Sequence, residues 1–165
     1  MNDLARVQAL IRDGDPWDRH RPLHLTASAL VVEPSSLRVL LRWHKRLGRW
    51  LQVGGHGDPG ESDPWDIAIR EAREETGLED LHALKASLER TPIQIVIVPV
   101  PGKNDEPPHE HVDVRYVLAT AQPDKAVAET PDAPLRWLTI ADAETEAEEE
   151  NFRELLRRLE QLLSN

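Results

Sequence analysis

Arg70, Glu71, Glu74 and Glu75 fall within six consecutive positions of the chain. On a helix, successive residues are roughly 100° apart, so the three carboxylates share an arc of about a quarter turn. Trp65, Ala68, Ile69 and Ala72 occupy the neighbouring arc, which places the acids at the edge of a face that must be buried. Carboxylates this close repel one another and raise one another's pKa unless a cation compensates. Oxygen-only ligands at this spacing suit Mg²⁺ or Mn²⁺, which keep several waters and complete their shells with substrate phosphate oxygens.

Acidic runs on helices are also commonly just solvated, and the chain contains its own control. The stretch Asp142 to Glu150 holds more acids, yet it follows no glycine loop and has no arginine among them; it reads as an exposed loop or helix start. The first cluster differs in its setting. It lies one helix after Gly54, Gly55, Gly57 and Gly60, a turn able to approach phosphate closely, and Arg70 stands beside Glu71.

The elements that position these groups are legible on either side. Leu4, Val7, Leu10 and Ile11 fall at helical spacing and Asp13-Gly14-Asp15-Pro16 then punctuates, predicting a short N-terminal helix and loop. Leu25 to Val32 and Leu37 to Trp43 are mostly apolar, separated by Glu33-Pro34-Ser35-Ser36, and predict a hairpin. After the glycine-rich segment from Arg49 to Gly60, Asp63 caps a helix, Pro64 suits its first position, Asp66 makes a capping-box-like pair and Gly77 stops it. Pro92 to Val100, Val112 to Ala119 and Leu135 to Ile140 are predicted strands, with a polar loop from Gly102 to His109. Asn151 to Leu163 repeats leucine at helical spacing and predicts a closing amphipathic helix.

At 165 residues with 39% apolar content, the chain has the size of one domain with a real core, here read as 1–165 with residues 1–24 as an N-terminal helix and loop extension. No cysteine is present, so any metal must be held by oxygen or imidazole. A formal charge of −10 argues against binding a nucleic acid polymer, which draws on clustered Lys and Arg. No apolar run approaches a membrane span, and the N-terminal stretch lacks the pattern of a signal peptide. The expectation is a cytoplasmic protein with a small phosphorylated partner and no membrane association.

Here the residues reach a family resemblance. Gly55, Glu61 and the run Arg70-Glu71-Ala72-Arg73-Glu74-Glu75-Thr76-Gly77-Leu78 resemble the Nudix hydrolase signature G-x5-E-x7-R-E-U-x-E-E-x-G-U, with U apolar. The second half matches fully. Eight residues rather than seven separate Glu61 from Arg70; because the capping signals start the helix after Glu61, the extra residue is assigned to the loop, where it leaves the carboxylate face unrotated. Gly48 to Gly55 resembles the family's entry to the box with Val53 where proline is usual, and Leu135-Arg136-Trp137-Leu138 resembles its tryptophan-containing strand.

The resemblance implies an α+β fold, an α/β/α sandwich with a mixed β-sheet between helices. It implies hydrolysis of a pyrophosphate bond in a nucleoside diphosphate linked to another group, with Mg²⁺ or Mn²⁺. By that likeness Glu74 and Glu75 bind metal, Glu71 binds metal or acts as base, Arg70 orients Glu71, and the Gly55 carbonyl adds a ligand. It also leaves room for a homodimer. The rival reading is a Nudix-fold module that senses a nucleotide or nucleotide-sugar without turnover; the intact Arg70-Glu71 and Glu74-Glu75 pairs argue against it. An isoprenoid diphosphate isomerase is disfavoured by the absence of cysteine.

Further residues are candidates for substrate binding. His109, His111, Asp113 and Arg115 alternate with Val112, Val114 and Tyr116, which puts the polar set on one face of a strand; Asp113 and His111 either line the site or are solvent-exposed. A separate His-x-His metal site is the weaker reading there. Arg42, Trp43, Lys45, Arg46, Arg49 and Trp50 interleave cations with aromatics and are able to hold phosphates and stack a base. Trp50 and Trp137 are better read as core, Trp43 is balanced between core and ligand, and Arg42, Lys45 and Arg46 also fit a solvated hairpin tip. Glu61 and His56 in the glycine loop complete the set.

Overall fold

The computed structural model describes residues 2–164. Its eight-stranded mixed sheet is built around β1 (Leu23–Glu33). On one side β1 runs parallel to β7 (His109–Ala119), from Leu23 beside Glu110 to Val32 beside Ala119. On the other side its second half pairs with β2 (Arg38–His44) and its middle with β4 (Val53–Gly55). β3 (Arg49–Leu51) and β8 (Leu135–Thr139) extend the sheet from β2, while β5 (His82–Ala83) and β6 (Gln94–Val100) extend it from β7.

The alternation of side chains along the strands creates two cores. Leu25, Ala27, Ala29 and Val31 of β1 join Val112, Val114, Tyr116 and Leu118 of β7 under Trp65, Ile67, Ala68 and Ala72 of α2 (Pro64–Thr76). Leu10 of α1 (Asp3–Arg12) and Trp17 seal the same core, so the predicted N-terminal helix forms and packs against the sheet. The opposite face, Leu30, Val32, Val39, Leu41 and Val117, is covered by α3 (Ile140–Glu146) and α4 (Glu150–Ser164). From α4, Phe152, Leu155, Leu156 and Leu159 are buried, each contributing roughly 1.5–3 kcal/mol of transfer free energy. The result is the expected α/β/α sandwich around a mixed sheet. Among the described residues no helix is long and apolar enough to cross a membrane.

The start and stop signals of α2 work largely as read. Asp63 accepts the Trp65 N–H at 2.9 Å, Pro64 takes the first helical position, and Gly77 ends the helix with φ 67° while donating its N–H to Arg73. Asp66 is engaged differently: its carboxylate takes Arg90 at 3.1 Å, and Arg90 also holds Asp63. The helix starts after Glu61, and Arg70 to Glu75 lie within its continuous span.

Several boundaries differ for identifiable reasons. The glycine segment from Arg49 is not simply a loop, because Val53, Gly54 and Gly55 form ladder pairs with Ala29, Ser28 and Ala27. Ile140, expected to end a strand, opens α3, since the Thr139 hydroxyl accepts the Asp142 N–H at 3.1 Å. Part of the acidic stretch is thus helical, with Ala143 and Ala147 buried on its apolar side. β7 begins at His109, three residues earlier than the apolar pattern predicts, because pairing with β6 extends to Val100.

Candidate active site

Arg70 is the hub of the acidic cluster. Its Nη1 donates to Glu71 Oε1 and to Glu74 Oε2, each at 3.0 Å. Nε and Nη2 form a two-pronged pair with Glu61, at 3.0 Å to Oε1 and 2.9 Å to Oε2, and Nη2 also donates to the His56 carbonyl at 2.9 Å. A planar guanidinium with five fixed donors can organise this many acceptors, whereas an ammonium cannot. Glu61 in turn accepts the Asp58 N–H at 2.7 Å, so the loop and the helix are joined through one side chain.

Glu75 is held from the other side. It is 9% exposed, accepts the Gly54 N–H at 2.9 Å and meets the Arg42 guanidinium at 3.1 Å. Its carboxyl is pushed up to about 7 by burial, against the opposing pull of the Gly54 N–H and Arg42. Burial also raises Glu71, while Arg70 pulls the other way. Glu61, by contrast, is held low by its hydrogen bonds to Arg70.

The chemistry of these donors fits a divalent hard cation. Two partly buried carboxylates with raised pKa values, a third beside them and only oxygen ligands are what Mg²⁺ or Mn²⁺ selects. The backbone makes room as well. A Cβ on Gly55 would lie 2.8 Å from the Glu71 carboxylate, and one on Gly54, where φ is +148°, would lie 2.4 Å from the Ser28 Cα. Gly54 requires glycine for strand packing, whereas a side chain at Gly55 would press on the Glu71 carboxylate.

Gly54 and Gly55 of β4, which touch Glu75 and Glu71, also line a cleft of about 230 Å³. Gly54, Gly55, His56, Thr26, Ser28 and Gln52 line it with His109, His111, Asp113 and Arg115 of β7. The floor is a buried polar network. Asp113 accepts the hydroxyls of Ser28 at 2.8 Å and Thr26 at 3.1 Å, the Gln52 amide at 3.3 Å and Arg115 Nε at 2.8 Å. Arg115 Nη1 then donates to Gln94 and to the Asn151 side chain, both at 2.9 Å. The Gln52 carbonyl oxygen is buried without a protein partner.

Imidazoles crowd the end of this cleft. His24 Nε2 lies 3.1 Å from His56 Nε2, and His109 Nε2 lies 3.1 Å from His111 Nε2. Burial, reinforced by the neighbouring rings, lowers His56 to about 4 and His111 to about 2.

The geometry therefore gathers most of the sequence candidates around β4. Glu61, Arg70, Glu71, Glu74 and Glu75 form one cluster with Arg42 at its rim; His56, His111 and Asp113 line the cleft. Asp113 is 6% exposed, so the alternative of plain solvent exposure does not apply to it. Arg42 and Arg46 are not a free hairpin tip: Arg42 pairs with Glu75, and Arg46 pairs with Glu106 at 2.5 Å and lines the cleft, while Lys45 pairs with Asp132. Trp43 packs edge-on against Trp50, with ring centres 5.4 Å apart, and is not among the cleft-lining residues. Trp50 and Trp137 pack against the two cores as predicted.

His24, Thr26, Ser28 and Gln52 were not singled out from the sequence. A signal existed in the alternation of His24, Thr26 and Ser28 with Leu25, Ala27 and Ala29, but the long apolar continuation of the strand hides it.

Comparison with known proteins bears on the family and the fold. The NUDIX domain family model matches residues 22–159. A probable DHNTP pyrophosphohydrolase of Lactococcus lactis subsp. cremoris is 32% identical over 109 residues, 66% of this chain and 61% of the relative, so the match spans about three fifths of that protein's length. The crystal structure of a NUDIX-family hydrolase from Clostridium perfringens superposes with a TM-score of 0.62 at 28% identity, over 84% of this chain and 97% of that one. The E. coli dihydroneopterin triphosphate pyrophosphohydrolase shares the fold, with a TM-score of 0.61 at 18% identity over 84% and 94% of the two chains. With its signature residues drawn together around Arg70 and a family match covering most of its length, the chain belongs to the Nudix family.

Proposed function

We propose that the protein is a pyrophosphohydrolase that depends on Mg²⁺ or Mn²⁺ and cleaves a nucleoside diphosphate derivative or a similar small phosphorylated substrate. The observation that carries this reading is the hold of one guanidinium, Arg70, on Glu61, Glu71 and Glu74, beside a buried Glu75 fixed on Gly54. A pure sensor has no use for carboxylates arranged at such cost in repulsion and burial. The name of one relative, a probable DHNTP pyrophosphohydrolase, supports a phosphorus anhydride as the bond cut.

Glu71, Glu74, Glu75 and the Gly55 carbonyl would hold the ion. When bound, it supplies positive charge against phosphate oxygens and acidifies water. Arg70 keeps Glu71 oriented, and Glu71 is suited to take the proton of the attacking water at its carboxylate. Arg42, at the rim beside Glu75, meets the phosphates, while the cleft of Ser28, Gln52 and Asp113 receives the group they carry.

The test is release of phosphate, pyrophosphate or monophosphate from a panel of nucleoside triphosphates, dinucleoside polyphosphates, nucleotide sugars and pterin triphosphates, with Mg²⁺, with Mn²⁺ and with EDTA. Turnover that requires metal and disappears in a Glu74→Gln, Glu75→Gln double variant is the expected result. Tight ligand binding with no turnover under any metal would favour the sensor instead, and full activity in the double variant would remove the assigned carboxylates from the mechanism.

A further inference from the structure

We propose a second metal site, built from His24, His56 and His111, that takes a transition-metal ion of the Zn²⁺ or Co²⁺ class at the end of the cleft. The three residues come from β1, the loop after β4 and β7, and their ligating nitrogens all lie within 4.8 Å of one another. His24 and His111 are cross-strand partners in the parallel ladder, so their rings leave the sheet side by side. His56 closes over them from the loop, its ring centre 5.1 Å from His24 and 4.9 Å from His111.

The hydrogen bonds around these rings favour ligation. Nδ1–H of His24 donates to the Arg21 carbonyl at 2.9 Å. That bond fixes the tautomer that leaves His24 Nε2 as a lone pair, the support that metal-binding histidines usually have. The lone pair faces Nε2 of His56, whose proton a bound ion would displace. Two nitrogens bound to one tetrahedral ion at about 2.0–2.1 Å sit roughly 3.3 Å apart, close to the 3.1 Å separation of His24 and His56.

The donor class separates this site from the glutamates. Imidazole suits Zn²⁺, Co²⁺, Ni²⁺ and Cu²⁺, whereas carboxylate and water suit Mg²⁺ and Mn²⁺. Three protein ligands with a free fourth position describe an open site rather than a closed structural one. His56 and His111 line the cleft, so the fourth position is within reach of a substrate oxygen or a water. The site stands on its own geometry and does not depend on the hydrolase reading.

Zn²⁺ titration of the metal-stripped full chain by calorimetry, with Mg²⁺ in large excess, tests the proposal. One equivalent should bind, and Co²⁺ in its place should show the intense visible absorption of a tetrahedral complex. His56→Asn and His111→Asn should each weaken Zn²⁺ at least ~10-fold, while the Glu74→Gln, Glu75→Gln variant should bind it undiminished. Nitrogen NMR of the unsubstituted protein reads the same question without any substitution, because imidazole nitrogen resonances of His24, His56 and His111 should shift on adding Zn²⁺. No uptake in the presence of Mg²⁺, unshifted imidazoles, or Zn²⁺ lost with the glutamates and kept without the histidines would overturn it.

Discussion

Glu75 reaches from α2 to β4, where its carboxylate accepts the Gly54 N–H at 2.9 Å. Even with that bond and Arg42, burial lifts its pKa from the ordinary 4.5 to about 7. A raised carboxyl contributes stability fully below its unfolded value and loses it as pH rises through the folded value. In EDTA the protein should therefore weaken between about pH 4.5 and 7, and urea unfolding at pH 5 and pH 8 should show a loss about 2 kcal/mol larger than in Glu75→Gln. Equal losses in the two proteins would sink the assignment. Adding Mg²⁺ at pH 8 should recover stability in the parent and little in the variant.

Arg70 touches four acceptors without facing the cleft, which makes it a positioning residue. Arg70→Lys keeps the charge and loses the fork, so Glu61, Glu71 and Glu74 are no longer held together. We expect kcat to fall roughly 100-fold with KM little changed, since a displacement of about 1 Å is enough for that. Glu61→Gln, which retains one acceptor for Arg70, should fall by about 10-fold. A change confined to KM would show that Arg70 binds substrate directly.

The carboxylate cluster was legible because helical geometry is local. Arg70, Glu71, Glu74 and Glu75 are neighbours on any helix, and Asp63, Pro64 and Gly77 mark its ends. The cleft was less legible because it is assembled across the sheet. Asp113 meets Thr26 and Ser28 only through the parallel pairing of β7 with β1, and nothing in the order of residues specifies that pairing. His24 and His56 are 32 positions apart; His56 stood out only as a member of the glycine loop, and nothing in the sequence joined it to His24. The three-residue β3 and β4 escaped notice because a strand that short carries no alternation to count.

Gly54 and Gly55 should separate stability from activity. Gly54→Ala puts a methyl 2.4 Å from the Ser28 backbone at φ +148°, and overpacking against backbone costs about 1–3 kcal/mol, with strain added. Gly55→Ala instead meets the Glu71 carboxylate at 2.8 Å, a side chain able to move. Its Tm should change little while kcat/KM drops about 100-fold. Thermal melts and steady-state rates on the two variants settle the point, and loss of folding in Gly55→Ala with activity retained in Gly54→Ala would reverse the two roles.

Arg115 and Asp113 form a pair 2.8 Å apart with side chains 3% and 8% exposed. Arg115→Met leaves the Asp113 carboxylate buried with only Ser28, Thr26 and Gln52 as partners, and it also strips Gln94 and Asn151 of a shared donor. Removing one member of such a pair costs about 3–5 kcal/mol, because the remaining charge stays out of water. Combining it with Asp113→Asn removes that charge as well, so the double variant should be more stable than Arg115→Met alone. Denaturant unfolding of the two singles and the double closes the cycle. Strict additivity would mean that the floor of the cleft is held by its hydroxyls and amides rather than by the ion pair.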